Sequence, residues 1–202
     1  MKKLTGIGMA LGLLAASAFG QQAKQPMKAA PTIASVMQAQ FGYVEQSFVA
    51  AAEAMPADKY DFAPTGPGEF KGVRTFAQEV KHVATANFMY FSTLLQEPMP
   101  PDASGEKGSN GPEELQTKEQ IVKYLKDSFA YGHKAIATIT AQNAVTPLPK
   151  TAVSFLTTRL ALASFGCTHT FDHYGQIVEY LRMNGIVPPA SQGQPPANPG
   201  AK

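Results

Sequence analysis

Histidines are the side chains best suited to chemistry in this chain of 202 residues, which has four of them. Two, His169 and His173, are four positions apart. Residues at this spacing share one face of a helix, with Cβ atoms roughly 5–6 Å apart. Their imidazoles can direct nitrogens at one divalent ion, with bonds of about 2.0–2.1 Å for zinc. The spacing also arises by chance, so it is a weak indication on its own.

The neighbours of the pair favour a buried position. One stripe at helical spacing contains both histidines and consists of Leu162, Gly166, His169, His173, Ile177 and Tyr180. Two unpaired imidazoles on such a face would be costly, because buried polar groups need partners. Gly166, one turn before His169, is expected to leave room beside it.

His82 is the predicted third metal ligand. It lies near the apolar stripe of its own helical segment, between Glu79 and Val83. A site built from three histidines on two bundle helices leaves coordination positions open for water or substrate, as in catalytic sites. The alternative is that His82 is an ordinary hydrogen-bonded histidine, and spacing alone does not decide between the two.

Three further residues, Glu79, Tyr90 and Asp172, are candidate accessory groups. Asp172 adjoins His173 and could orient a ligand through its second ring nitrogen. A solvated helix residue is the slightly favoured interpretation of Asp172. No Ser-His-Asp or paired-carboxylate pattern identifies a catalytic acid, base or nucleophile.

Other metal centres fit the sequence poorly. Glu79-x-x-His82 is half of a di-iron carboxylate pattern, but no histidine follows Glu179 by three positions. A single cysteine excludes an intrachain disulfide and any multi-cysteine zinc or iron–sulfur site.

Two remaining residues are predicted to lie outside the site. Cys167 precedes His169 by two positions, about 200° around the helix, and is expected to be a small buried apolar residue. His133 is followed by the charged Lys134 and is expected to face solvent.

Proline placement predicts four helices that carry these residues. Prolines are absent from residues 32–55, 68–97, 113–146 and 150–187 and gather in the gaps between them. Helix interiors exclude proline, because it removes a donor and clashes with the preceding turn. Apolar residues recur every three or four positions within these windows, the spacing of one helical face. Segments 56–71 and 96–116 are predicted long loops.

Start and stop signals refine these windows. Thr-x-x-Gln capping boxes at 75–78 and 117–120 predict two helix starts. The fourth helix is expected to begin within 151–158 and to run to Asn184, with Gly185 at the C′ position. The sequence thus predicts an all-α domain, a four-helix bundle.

The N-terminus has the three parts of an export signal. Residues 1–3 are a positive n-region, Leu4 to Ala16 are uncharged and largely apolar, and small residues suit cleavage after Gly20 or, alternatively, Ala18. The apolar run is shorter than the roughly 20 residues of a spanning helix, which disfavours an uncleaved anchor. We therefore expect an exported protein, periplasmic or secreted, with no stable membrane anchor after cleavage.

Cleavage would also remove the net charge. The full chain carries 17 Lys and Arg against 15 Asp and Glu, a net charge of +2. The excess corresponds to Lys2 and Lys3 in the signal, so the mature chain is neutral. A neutral chain lacks the basic surface that supplies most non-specific affinity for nucleic acid, and no nucleic-acid partner is expected.

The predicted organisation follows from these patterns. Residues 1–20 are a signal peptide, 21–31 a flexible leader, 32–187 the bundle, and 188–202 a disordered proline-rich tail.

The closing segment resembles that of DinB-like (DNA damage-inducible) proteins, a family of four-helix metal-binding bundles. The similarity is most specific over His173 to Pro189, HYGQIVEYLRMNGIVPP, and extends as a layout over about 32–189. It implies an up-down-down-up bundle. It also implies that His82, His169 and His173 correspond to the family's metal ligands.

The resemblance further implies zinc, nickel or iron as the metal, with zinc preferred here, and a homodimer as one candidate assembly. The best-understood relatives transfer or isomerise with small thiols, which a metal can hold as thiolates. Such thiols are chiefly cytoplasmic, and this chain differs from those relatives because it has a predicted export signal. Three interpretations remain: a metal-dependent enzyme (thiol transferase or hydrolase-like) with an unknown small-molecule substrate, a non-catalytic secreted protein with a structural metal, and a bundle without metal.

Overall fold

A computed structural model describes residues 30–66, 71–103 and 110–193. The helices are α1 Ile33–Ala54, α2 Phe76–Leu95, α3 Lys118–Ile136 and α4 Arg159–Met183. Within the described ranges no strand forms, and β pairing is limited to one isolated bridge between Pro147 and Thr158. The predicted all-α four-helix fold is confirmed. The predicted signal peptide lies outside the described residues.

A threonine begins each helix by capping it. The side chains of Thr32, Thr75, Thr117 and Thr158 each accept a hydrogen bond from a backbone N–H in the first turn. The two Thr-x-x-Gln capping boxes are confirmed, and α1 has a third one in which Ser35 replaces the usual Glu or Gln. Gly185 follows α4 with φ of 73°, the left-handed conformation expected at C′.

The helix order around the bundle is α1, α3, α2, α4. α1 packs against α3 and α4, and α2 packs against the same two helices, so α1 and α2 lie on a diagonal. Contacts between α2 and α3 advance in the same direction along both helices: Thr85 to Tyr124, Asn87 to Ser128, and Phe88 to Tyr131. These two helices are therefore parallel.

The other pairings complete an up-down-down-up topology. α3 is antiparallel to α1, since its first residue, Lys118, bonds the Met55 carbonyl at the end of α1, whereas His133 near its own end contacts Glu45. α4 is antiparallel to α2, because successive contacts advance along α2 while they go back along α4: Glu79 to His173, His82 to His169, and Tyr90 to Phe165.

The parallel α2–α3 pair explains the long loop between them. To start α3 beside the start of α2, the chain must return along α2, whose 20 residues are about 30 Å long. Lys81, a buried residue of α2, holds the end of this loop. Its Nζ donates to the Pro112 carbonyl at 2.8 Å and to the Leu115 carbonyl at 3.3 Å. Burial lowers the pKa of Lys81.

Aromatic rings fill the centre of the bundle, and glycines let them approach. A Cβ at Gly132 would lie 2.6 Å from ring atoms of both Phe41 and Phe91. A Cβ at Gly166 would lie 3.0 Å from Phe91 Cζ. The space expected beside the histidines at Gly166 is therefore occupied by the Phe91 ring, which is a correction to the sequence prediction.

The chain beyond α4 returns to the bundle. Pro188 is buried, and a 3₁₀ turn at Pro189–Ser191 contacts α1. The predicted disordered tail therefore does not begin at residue 188, because the apolar Pro188 is covered by the domain; residues 194–202 lie outside the described part. Among the helices of the described ranges, none combines the length and apolar character needed to cross a membrane.

Candidate metal centre

The antiparallel packing of α2 and α4 brings three histidines together. One ring nitrogen from each of His82, His169 and His173 lies within 4.8 Å of the other two. His82 Nε2 and His169 Nε2 are 3.2 Å apart. The His173 ring centroid is 4.6 Å from the centroid of each of the other rings. The predicted site residues thus form one cluster that could hold a metal ion.

One pair of ring nitrogens in the cluster has the spacing of metal ligands. Bonds of about 2.0–2.1 Å in tetrahedral geometry place two ligand nitrogens about 3.3 Å apart. The 3.2 Å between the His82 and His169 nitrogens is close to this distance. Without an ion, the same spacing is a single hydrogen bond between two imidazoles. His169 Nδ1 is buried and has no hydrogen-bond partner in the described part of the chain.

Glu79 forms a hydrogen bond with one histidine of the cluster. It precedes His82 by three positions on α2, and its Oε2 lies 2.6 Å from His173 Nδ1. Both side chains are buried, with 3% of Glu79 and 8% of His173 exposed. A carboxylate accepts only, so it fixes the proton on Nδ1 and leaves Nε2 as the free donor atom for a metal.

Of the two candidate carboxylates, Glu79 and not Asp172 is the one that contacts a histidine of the cluster. Asp172 is exposed and accepts a hydrogen bond from Gln176 Nε2 at 3.2 Å, in agreement with its favoured interpretation as a solvated residue. Arg74 Nη1 lies 3.7 Å from Glu79 Oε1 and adds a positive charge beside the buried carboxylate. Sequence spacing could not identify the pairing of Glu79 with His173, because the two residues are 94 positions apart.

The surroundings of His169 favour its neutral imidazole. Burial, followed by the nearby His173, His82 and Arg74, lowers the pKa of His169 to about 3. A neutral imidazole has the lone pair that a metal ligand must supply.

Aromatic rings line the cluster on one side. The Tyr90 ring lies edge-on to His169, at 5.5 Å between centroids, and the Phe165 ring is 6.1 Å from the same histidine. Burial raises the pKa of Tyr90, so its phenol keeps its proton at neutral pH. The candidate accessory residue Tyr90 is therefore in contact with His169.

The fourth histidine lies elsewhere but is not solvated as predicted. His133 Nε2 lies 2.8 Å from Glu45 Oε2, its Nδ1 bonds Gln38 Oε1, and 30% of its side chain is exposed. The prediction that His133 faces solvent rested on its neighbour Lys134. Lys134 is exposed, but the side chain of His133 points towards α1. His133 therefore joins α3 to α1 away from the three-histidine cluster.

Cys167 agrees with its prediction as a buried residue outside the cluster. Burial raises the pKa of its thiol to about 11. At neutral pH this thiol is protonated, the form that is neither a good nucleophile nor a metal ligand.

The sequence model of the DinB superfamily matches residues 40–177, a range that includes all three clustered histidines. The chain therefore belongs to the DinB superfamily.

Solved structures have the same fold. A DinB-like protein from Bacillus subtilis is 16% identical, with a TM-score of 0.57 over 75% of this chain and 94% of that one. A conserved protein from Enterococcus faecalis is 16% identical, with a TM-score of 0.59 over 76% of this chain and 98% of that one. At these identities the likeness concerns the fold alone. The comparison with curated proteins found no match.

Proposed function

We propose that this chain binds one divalent metal through His82, His169 and His173 and acts as a metal-dependent enzyme on a small molecule. The observation that carries the proposal is the convergence of three imidazole nitrogens within 4.8 Å on two helices. Zinc is the preferred metal, because three nitrogen ligands with an open position are typical of catalytic zinc sites. Nickel and iron are the alternatives.

The chain's own residues have distinct roles in this proposal. Glu79 holds the His173 ring in one orientation through the 2.6 Å bond to Nδ1. His82 and His169 are half-buried, which leaves a side of the cluster open to solvent and to a small molecule. When bound, a divalent metal supplies Lewis acidity that stabilises an anionic oxygen or a thiolate. Thiol transfer and hydrolysis are the two reaction classes that use this chemistry.

The alternative is a structural metal in a non-catalytic protein. Burial of His173 and of its partner Glu79 favours it, because a metal bound by His82 and His173 would link α2 to α4 in the interior. Activity on thiol or hydrolase substrates that disappears with the metal would support the enzyme. A metal that changes only the melting temperature would support the alternative.

Elemental analysis tests metal binding directly. We expect about one divalent metal per chain in protein supplied with zinc, nickel or iron, as in other three-histidine sites. The substitution His169→Ala should abolish tight binding, whereas His133→Ala should not, because His133 lies outside the cluster. Equal metal contents in the two variants would show that the ligands are assigned wrongly, and no metal in the wild type would refute the proposal.

We also propose that the protein is exported and that its signal peptide is removed. The support is the charge and hydropathy pattern of residues 1–20. N-terminal sequencing of the extracytoplasmic protein should begin at Gln21, or at Phe19 if cleavage follows Ala18. An intact Met1 in that fraction would contradict cleavage.

A further inference from the structure

A row of aromatic rings leads from the histidine cluster to the surface. Phe165 lies 6.1 Å from His169 between ring centroids, and Phe155 lies 5.4 Å from Phe165 with an interplanar angle of 76°. Tyr90 meets Phe165 edge-on at 5.4 Å. All these distances are within the 4.5–7 Å range of interacting aromatic pairs. Phe155, at the outer end, is 67% exposed.

The structure of the α3–α4 loop keeps the Phe155 side chain exposed. The next residue, Leu156, is only 4% exposed and anchors the loop in the core. Backbone bonds hold this segment, with Leu156 N–H donating to Val153 O at 2.9 Å and Leu148 N–H donating to Thr157 O at 2.8 Å. The loop therefore presents the Phe155 ring at a fixed place beside Phe165.

We propose that Phe155 and Phe165, with the buried Tyr90 packed against Phe165, form an aromatic shelf that binds the aromatic ring of a small molecule whose donor atom coordinates the metal of the three-histidine site. The inference rests on the proposed metal site and names its substrate class. Two ring contacts, of 5.4 Å and 6.1 Å between centroids, connect the exposed Phe155 through Phe165 to His169, so the shelf adjoins the cluster. Ligand sites typically combine such an apolar wall with a few polar groups that fix orientation.

A pair of metal-binding probes tests the shelf. Imidazole and 4-phenylimidazole share a donor nitrogen and differ by one phenyl ring. Both are titrated into the full chain loaded with Co²⁺, and binding is followed by the change in visible absorption. Because one aromatic contact changes affinity by about 2- to 10-fold, we expect 4-phenylimidazole to bind about tenfold more tightly than imidazole.

The variants locate the preference. Phe155→Ala should reduce the advantage of 4-phenylimidazole about 2- to 10-fold and leave imidazole affinity unchanged, whereas Phe155→Tyr should retain it. Tyr43→Ala is the matched control, because Tyr43 is also an exposed aromatic residue (64%) but packs on Phe171 between α1 and α4. Circular dichroism melting confirms that each variant is folded.

The possible failures are distinguishable. A normal cobalt spectrum with equal affinities for the two probes would overturn the shelf and leave the metal site standing. An advantage that survives Phe155→Ala unchanged would overturn it as well. Absence of a cobalt spectrum in the wild type would refute the metal site, and the shelf with it.

Discussion

The substitution Glu79→Gln tests whether the carboxylate beside His173 strengthens metal binding by the three histidines. The variant keeps the side-chain length and one acceptor oxygen but removes the charge that faces His173 at 2.6 Å. A hydrogen bond to a charged group contributes about 1.5–3 kcal/mol and a neutral one about 0.5–1.5 kcal/mol. Removal of a carboxylate behind a ligand histidine typically weakens metal binding about 10- to 100-fold, or roughly 1.4–2.7 kcal/mol.

We therefore expect Glu79→Gln to weaken zinc binding about 10- to 100-fold. The measurement is competition between the protein and a chromophoric chelator of known affinity, for both wild type and variant. Asp172→Asn is the matched control, because Asp172 adjoins His173 in sequence but is exposed and bonds Gln176. It should change zinc affinity less than twofold. If Glu79→Gln bound zinc as tightly as the wild type, the inferred role of the carboxylate in orienting His173 would be wrong.

Two further predictions concern the bundle itself. In urea unfolding, Gly132→Ala should destabilise the fold by about 1–2 kcal/mol, because overpacking against two buried rings outweighs the gain in helix propensity. Gly175→Ala is the control, because its Cβ would meet no atom within 4 Å, and it should stabilise the fold by about 0.5–1 kcal/mol. If both substitutions changed the free energy of unfolding in the same direction, packing would not be the reason for glycine at position 132. Burial raises the pKa of Cys167 to about 11, which lowers the fraction of thiolate at pH 8. Its reaction with a disulfide reagent at that pH should therefore be about 100-fold slower in the native chain than in the unfolded chain. Equally fast labelling of both forms would contradict its burial.

The helices and the pairing of His169 with His173 follow from local patterns in the sequence, whereas the inclusion of His82 in the site rested on the family resemblance. Proline-free windows and Thr-x-x-Gln boxes mark where helices begin and end, because caps and helix breakers act within a few residues. His169 and His173 share a face by their spacing alone. The capping box of α1 escaped the pattern, since Ser35 stands where Glu or Gln is expected.

The contacts that depend on tertiary register could not be predicted. Glu79 reaches His173 across 94 positions, and His133 reaches Glu45 across 88. Both pairs form because of how two helices are aligned along each other, and no local spacing encodes that alignment. The space assigned beside Gly166 is filled by Phe91 for the same reason.

The distance along the chain between the clustered histidines has a consequence for folding. His82 and His169 are 87 positions apart, so their meeting requires closure of a long loop and the docking of α4. An ion that needs all three imidazoles recognises the closed bundle and not the unfolded chain. At a free concentration 100 times its dissociation constant, such an ion would stabilise the native state by about 2.7 kcal/mol. The supply of the ion, and not the sequence alone, would then set the fraction of chains that are folded.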